Sequence, residues 1–325
     1  MRKIRLGAAG PDITRIGLGT WAIGGSGWQY AWGAQDDAES IAAIRRAIDL
    51  GINWVDTAAV YGHGHSEEMV GRALEGRREG VLVATKCGRV RNPDGSIGSV
   101  LRADSVRREL EASLRNLRTD RIDLYQIHWP DPDAEVEEGW AEIAKAVHEG
   151  TVRWAGVSNF GVEQLKRVQA IHPVTSLQPP YSMLRRDIER DLLPYCAANG
   201  IGVIVYSPMQ AGLLTGAFTR ERAATLPGDD WRRNSPFFRE PGLSANLAVV
   251  DGLRVIAARR GCSVAEVAIA WVLSRSEVTA AIVGARRPAQ IEGTVGAADL
   301  FLTEAELSEI AALLAEREKT LATET

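Results

Sequence analysis

Four side chains in this sequence combine type and spacing in a way that can hand a proton to an oxygen: Asp56, Tyr61, Lys86 and His128. Asp56 ends the apolar run Ile52 to Val55, and Tyr61 follows five residues later among glycines and histidines. Lys86 closes VLVATK and His128 closes IDLYQIH. Tyrosine is a weak acid, with a reference pKa of about 10. A lysine ammonium beside the phenol stabilises the phenolate and is expected to bring that value down. An aspartate paired to the lysine holds its geometry and offsets the cost of burying its charge. A histidine then orients or polarises a carbonyl oxygen lying between itself and the tyrosine. Acid catalysis of this kind supplies about 10²–10⁴-fold. The set contains no reductant, so hydride is expected from a bound cofactor.

The elements that carry these residues repeat one unit, a short apolar strand followed by an amphipathic helix. Strands are read at 15–20, 52–56, 81–86, 122–128, 151–159, 175–178, 201–208 and 279–285. Between the first two, Ile41, Ile44 and Ile48 share a helical face and Gly51 suits the C-terminal cap. Ser66 is expected to cap a helix through Leu74. Val106, Leu110, Leu114 and Leu117 mark the next helix, and another runs to about Glu149. Val162, Leu165 and Val168 face inward after the fifth strand. Ser263 and Glu266 form a capping box, and Pro288 sits where a first helical turn tolerates it. The stretch 207–243 is long and irregular, which suggests a functional loop. The amphipathic stretch 304–319 reads as a terminal helix closing over the barrel.

Eight such units predict one α/β domain over 1–325, a (β/α)8 TIM barrel with an N-terminal hairpin and a C-terminal helix. A doubly wound sheet is the rival, but no G-x-G-x-x-G joins a strand to a helix. In such barrels the chemistry lies at the C-terminal strand ends. Read in order, those ends offer Thr20 and Trp21, Asp56, Lys86, His128, Ser158 and Asn159, Gln178, Tyr206 and Ser207, and 284–286. Any strand leaving a core must turn polar, and a lone histidine usually sits satisfied inside one. Neither fact explains an acid, a lysine, a histidine and a tyrosine converging on one rim.

The formal charge of −4 gives no general affinity for nucleic acid or membrane. No apolar run approaches the roughly 20 residues of a membrane span, and the N-terminus has no apolar signal core. Cys87, Cys196 and Cys262 are scattered without metal-ligand spacing, as expected of reduced thiols in a cytoplasmic protein. His63 and His65 form H-x-H, but no acid or cysteine cluster completes a metal shell, so no metal is expected.

The sequence resembles the aldo-keto reductase superfamily. GINWVDTAAVYGHGHSEEMVG is similar to its first signature, ATKCG supplies the lysine and DLYQIHWPD the histidine. WAGVSNF, VYSPMQAGLLTG and IVGARRPAQIEGTVGA follow in family order, so the resemblance runs from Gly19 to about Ala297. It is greatest to bacterial reductases with a GLGTWAIGG opening and a long loop after the seventh strand. The resemblance implies that Tyr61 is the general acid, tuned by Lys86 and Asp56, and that His128 orients the carbonyl. It implies an NADP(H) site, with NADPH favoured over NADH. Gly19, Thr20, Trp21 and Asp56 would border it, Ser158, Asn159 and Gln178 would hold the carboxamide, and Tyr206 would stack on the nicotinamide. Ser207, Pro208, Met209, Gln210, Ala211 and Gly212 would face the pyrophosphate. Beyond Gly284, Arg286 would meet a 2′-phosphate and Gln290 the adenine.

Two departures bear on the cofactor. Ala217 stands where relatives often have lysine, and Gly293 and Thr294 where they often have Glu-Asn. Arg232 or Arg233 is a candidate to compensate. Trp21, Trp28, Trp32 and Trp129, with Tyr30 nearby, suggest an aromatic wall for a bulky carbonyl, with Tyr61 and His128 at the reacting oxygen. The expected partner is therefore a small-molecule carbonyl, with monomer and homo-oligomer both open. One rival is a cofactor-sensing regulatory subunit of the same fold; another is a cofactor-free isomerase or lyase.

Overall fold

The computed structural model describes residues 1–228 and 230–323. The chain opens with an antiparallel hairpin, β1 (Lys3–Arg5) and β2 (Asp12–Thr14). Then come β3 (Ile16–Gly19), α1 (Asp37–Asp49), β4 (Trp54–Asp56), α2 (His65–Leu74) and β5 (Leu82–Cys87). A second hairpin, β6 (Arg89–Arg91) and β7 (Ile97–Ser99), precedes α3 (Ala103–Leu117). The alternation resumes with β8 (Ile122–Ile127), α4 (Val136–His148), β9 (Val152–Ser158), α5 (Val162–Gln169), β10 (Ser176–Gln178), α6 (Leu192–Ala198) and β11 (Gly202–Val205). After short helical turns and α7 (Arg220–Ala224) come α8 (Gly242–Arg260), α9 (Val264–Leu273), β12 (Ala280–Gly284), α10 (Pro288–Glu292) and α11 (Glu304–Thr323).

Eight parallel strands close into a barrel, each beside its neighbour in sequence, and β12 pairs with β3 to complete the ring. The expected TIM barrel is what forms. Side-chain alternation of period two divides its strands into two faces. One face packs outward on the helices: Ile16, Leu18, Val55, Val83, Tyr125 and Val157 all join the large core. The other points inward, where Trp54, Ala84, Leu124, Ile204, Ala280 and Ile282 fill the lower barrel. Gly17 is needed there, because a Cβ would lie 2.1 Å from the Trp54 ring. Leu6 and Ile13 of the N-terminal hairpin join this inner cluster, and Ala8 N–H donates to Gly200 O just ahead of β11. The hairpin thus plugs the N-terminal end of the barrel.

Most helix ends follow their sequence signals. Gly51 takes φ +90° after α1, Ser263 and Glu266 form the capping box of α9, and Pro288 is the first residue of α10. Two readings need correction. Gly64, with φ +98°, occupies the N-cap of α2, and Ser66 lies buried inside the helix. Its hydroxyl donates to Thr20 (2.7 Å to Oγ1, 3.0 Å to the carbonyl oxygen) and so ties α2 to the end of β3. The terminal helix α11 runs along α8, with Arg259 on Glu309 at 2.7 Å and Arg317 on Asn246 at 2.6 Å. Pairing of later residues of α11 with earlier ones of α8 makes them antiparallel. Among the described residues no helix is long and apolar enough to cross a membrane.

Candidate active site

The inward-pointing series that fills the lower barrel changes character at the upper end of each strand. Two residues beyond Trp54 stands Asp56, two beyond Ala84 stands Lys86, and two and four beyond Leu124 stand Gln126 and His128. The same step places Ser158, Gln178 and Tyr206 on the inner face, which opens there into a cavity of about 830 Å³.

Lys86 is 1% exposed, and burial lowers its pKa against the opposing pull of Asp56. Its ammonium donates to Asp56 Oδ1 at 2.7 Å and to Thr57 O at 2.8 Å. The other Asp56 oxygen accepts from Gln178 Nε2 at 2.8 Å. The buried ion pair therefore has hydrogen bonds on both partners, which is what lets such a pair persist. Lys86 does not line the cavity; it lies beneath Tyr61, its nitrogen 5.2 Å from the ring centroid.

Tyr61 and His128 do line it, with ring centroids 5.7 Å apart and planes at 77°. Neither the phenol oxygen nor either imidazole nitrogen bonds to another described residue. Both groups present unspent hydrogen-bonding capacity to one void. Burial depresses the His128 pKa well below its ordinary value, helped by Lys86 and Arg89, so the ring is neutral at pH 7. Tyr61 departs from the sequence expectation. Its pKa is raised well above 10, first by burial, then by the Asp56 carboxylate and Tyr206. Burial and the Asp56 carboxylate together keep the proton on the phenol.

Beside this pair, Asn159 holds a left-handed backbone at φ +63°. Its amide donates to His128 O and Ser158 Oγ, both at 3.0 Å, and accepts from the Tyr206 hydroxyl at 2.9 Å. Ser158 donates to Gln178 O at 2.8 Å. Asn159 is thus fully engaged with its neighbours, whereas Gln178 Oε1 has no donor among the described residues and borders the cavity. Tyr206, anchored by its hydroxyl, lines the cavity. In the loop after β11, Ser207, Gln210 and Ala211 have φ of +56°, +46° and +51°, and Gly212 has +92°. Each non-glycine residue so held costs about 1–3 kcal/mol, which the surrounding structure must offset. Consecutive residues turned this way make concave backbone sites for anions.

Gly19, Thr20, Trp21, Ser207, Pro208, Met209, Ala211, Gly212, Gly284, Arg286 and Gln290 also border the cavity. Gln210 does not: its side chain accepts from Ser182 at 2.8 Å. Gln290 Oε1 accepts the N–H groups of Arg286 and Arg287, capping α10. Ala217, Gly293 and Thr294 line the same far end. Neither of the candidate arginines lines it. Arg232 is buried, pairing with Asp230 at 2.6 Å and lying 4.7 Å from the Trp32 ring centroid, and Arg233 turns to Leu226 O.

The aromatic wall is extensive. Trp21 stacks on Tyr61 and on Trp231 at 6.5 and 6.0 Å, Trp28 lies 6.0 Å from Tyr61, and Trp32 meets Trp21 edge-on at 5.6 Å. Trp129 sits further out, 41% exposed, with Arg89 over its ring. Sequence reasoning missed Gln126, Trp231, Arg89 and Ile97. Gln126 was within reach, since it falls on the inward period between Leu124 and His128; its amide nitrogen is buried with no partner among the described residues. His65 pairs with Asp37 at 2.9 Å, and among the described residues no group of three or more His, Cys, Asp or Glu is arranged to hold a metal.

A dinucleotide fits this cavity. Its lining offers an amide acceptor on Gln178, the Tyr206 ring, a loop of left-handed backbone and the Arg286 guanidinium. The sequence model described as "Aldo/keto reductase family" matches residues 15–315. Aldo-keto reductase YhdN of Bacillus subtilis is 42% identical over 296 residues, covering 90% of this chain and 87% of its own. The NADH-specific methylglyoxal reductase of Escherichia coli is 36% identical, covering 94% of this chain and 96% of its own. The solved structure of glycerol dehydrogenase AKR11B4 from Gluconobacter oxydans superposes with TM-score 0.88 at 40% identity, covering 97% and 95% of the two chains.

Proposed function

Because this chain belongs to the aldo/keto reductase family and is an NAD(P)H-dependent oxidoreductase, we propose that it reduces an aldehyde or ketone reversibly, with Tyr61 as proton donor. One observation carries this reading: the Tyr61 hydroxyl and the His128 ring face one void without hydrogen-bond partners among the described residues, above the Lys86–Asp56 pair. A carbonyl oxygen seated there accepts from both. When bound, the dihydronicotinamide supplies hydride to the carbonyl carbon. Gln178 Oε1 would hold its carboxamide and Tyr206 would lie against its ring. As charge builds on the substrate oxygen, Tyr61 gives up its proton, and the Lys86 ammonium beneath stabilises the phenolate left behind. The raised phenol pKa is no obstacle, because an alkoxide is a stronger base than a phenolate. His128, neutral, orients the oxygen without competing as an acid.

Arg286 supports NADPH as the preferred cofactor, since guanidinium takes phosphate oxygens in pairs. The Escherichia coli relative is named for NADH specificity, so the choice is a point for measurement in this chain. For the substrate, the indoles of Trp21, Trp28 and Trp32 around Tyr61 favour a bulky aromatic or alicyclic carbonyl. Two relatives are named for methylglyoxal and glycerol, smaller compounds that leave much of such a wall uncovered. Fluorescence titration of the purified protein should give a Kd for NADPH at least about tenfold below that for NADH, a margin that Arg286→Ala erases. Binding of neither nucleotide by folded protein would return the site to an unassigned barrel mouth.

A further inference from the structure

Among the described residues, three charged side chains line the cavity: Asp56, Arg89 and Arg286. Asp56 is spent, one oxygen on Lys86 and the other on Gln178. Arg286 is assigned to the coenzyme, which leaves Arg89. It opens β6, stands opposite Ser99 of β7 in the hairpin, and borders the cavity with Ile97, His128 and Trp129. Both hydrogen bonds of its guanidinium come from Nη1, to Ser99 Oγ and, at 3.4 Å, to Asp131 Oδ2. The guanidinium carbon lies 5.6 Å from the Trp129 ring centroid, so the group is held on two sides. Nε and Nη2 have no acceptor among the described residues. Together they form one edge of the fork, three N–H donors in the arrangement that takes both oxygens of a carboxylate at once. Asp131 leaves that edge open: it meets Nη1 alone, is exposed, and lies outside the cavity lining. After burial and Lys86, the charge of Arg89 also depresses the His128 pKa, which puts the guanidinium within electrostatic reach of the reacting centre.

We propose that Arg89 binds a carboxylate on the substrate, so that the preferred substrates are aromatic carbonyl compounds carrying an acid group. This rests on the carbonyl-reductase reading of the same cavity. With the carbonyl oxygen between Tyr61 and His128, the ring of such a compound meets the aromatic wall and its acid meets the open edge of Arg89. An uncharged substituent in that place would strip water from the guanidinium and return no acceptor, a desolvation cost. The same side chain therefore favours the acid and disfavours its neutral analogue.

The test measures kcat and KM of the wild type, Arg89→Met and Arg89→Lys on 2-, 3- and 4-carboxybenzaldehyde and on the methyl ester of each, with NADPH and with NADH. Thermal melting checks that the variants are folded. Each protein is scored by its own acid-to-ester ratio of kcat/KM, so a general effect of the substitution cancels. In the wild type, the isomer whose acid reaches Arg89 should be favoured over its ester about ten- to hundredfold. Arg89→Met should bring that ratio close to one, chiefly by raising KM for the acid. Arg89→Lys keeps the charge without the fork, and its ratio should fall between the two. A wild type that prefers no acid to its ester overturns the proposal alone. So does a Met variant that keeps the wild-type ratio, which would put the carboxylate on another group. Reduction of none of these compounds also overturns it. The carbonyl-reductase reading falls with it only if methylglyoxal, for which a relative is named, is not reduced either.

Discussion

Tyr61 keeps its proton because burial and the Asp56 carboxylate outweigh the ammonium below it. Reduction should therefore hold level from pH 7 to about 10, with no alkaline loss from the donor, in a kcat/KM profile. A break below pH 8 would mean that the phenol ionises far more easily than its surroundings allow. Tyr61→Phe should cost about 10²–10⁴-fold in kcat/KM while NADPH binding stays nearly intact. At this scale the sequence was readable wherever a residue ends a barrel strand. Asp56, Lys86, His128, Ser158, Gln178 and Tyr206 sit on one inward period, and a side chain's direction follows from counting by two. It was unreadable where no period applies. Gln210 turns to Ser182, Gln35 to Arg286, and Ser66 into α2, each by local backbone geometry that residue type does not encode. The sign of the Tyr61 shift was also missed, because it depends first on how deeply the phenol is buried and then on the nearby Asp56 carboxylate.

Among the elements, the strands announce themselves as apolar runs, while α8 went unread. Its apolar residues, including Leu243, Val249, Val250, Leu253 and Ile256, spread around the helix because α9 and the loop after β11 cover it on one side and α11 on another. A helix buried on several faces loses the single stripe that marks an amphipathic one. The β6–β7 hairpin was missed because it is short and flanks the barrel rather than joining it. Element placement also creates one testable pH effect. Glu109 on α3 accepts the Gly88 N–H at 2.9 Å, just past Lys86, and burial raises its carboxyl pKa to about 7. A folded value above the ordinary 4.5 means that its contribution to stability is full below pH 4.5 and is lost as pH rises through 7. Glu109→Gln, which retains an acceptor for Gly88, should remove that loss. Urea unfolding at pH 5 and pH 8 should show the wild type falling more steeply than the variant, by on the order of 1–3 kcal/mol. Parallel behaviour would show that the carboxyl ionises without penalty.

Over the whole molecule, the barrel separates two tasks by its two ends. The upper end carries the chemistry, and the lower end carries the plug formed by β1 and β2. Leu6, 1% exposed among Trp54, Ala84, Leu124 and Ile204, belongs wholly to the second task. Leu6→Ala should lower unfolding free energy by about 2–5 kcal/mol while leaving kcat and KM close to wild type in the material that remains folded. A substantial change in KM would show the two ends to be coupled. The eight-unit architecture was foreseeable from the alternation of apolar runs, since strand order in the closed ring follows sequence order.

The same hairpin decides how the molecule can be handled as a material. A tether fused ahead of β1 leaves from the end opposite the aromatic mouth. Molecules grafted onto a bead or an electrode through that point would all stand with the mouth toward the flowing solution. Attachment through surface lysines would be less orderly, since it fixes no single orientation.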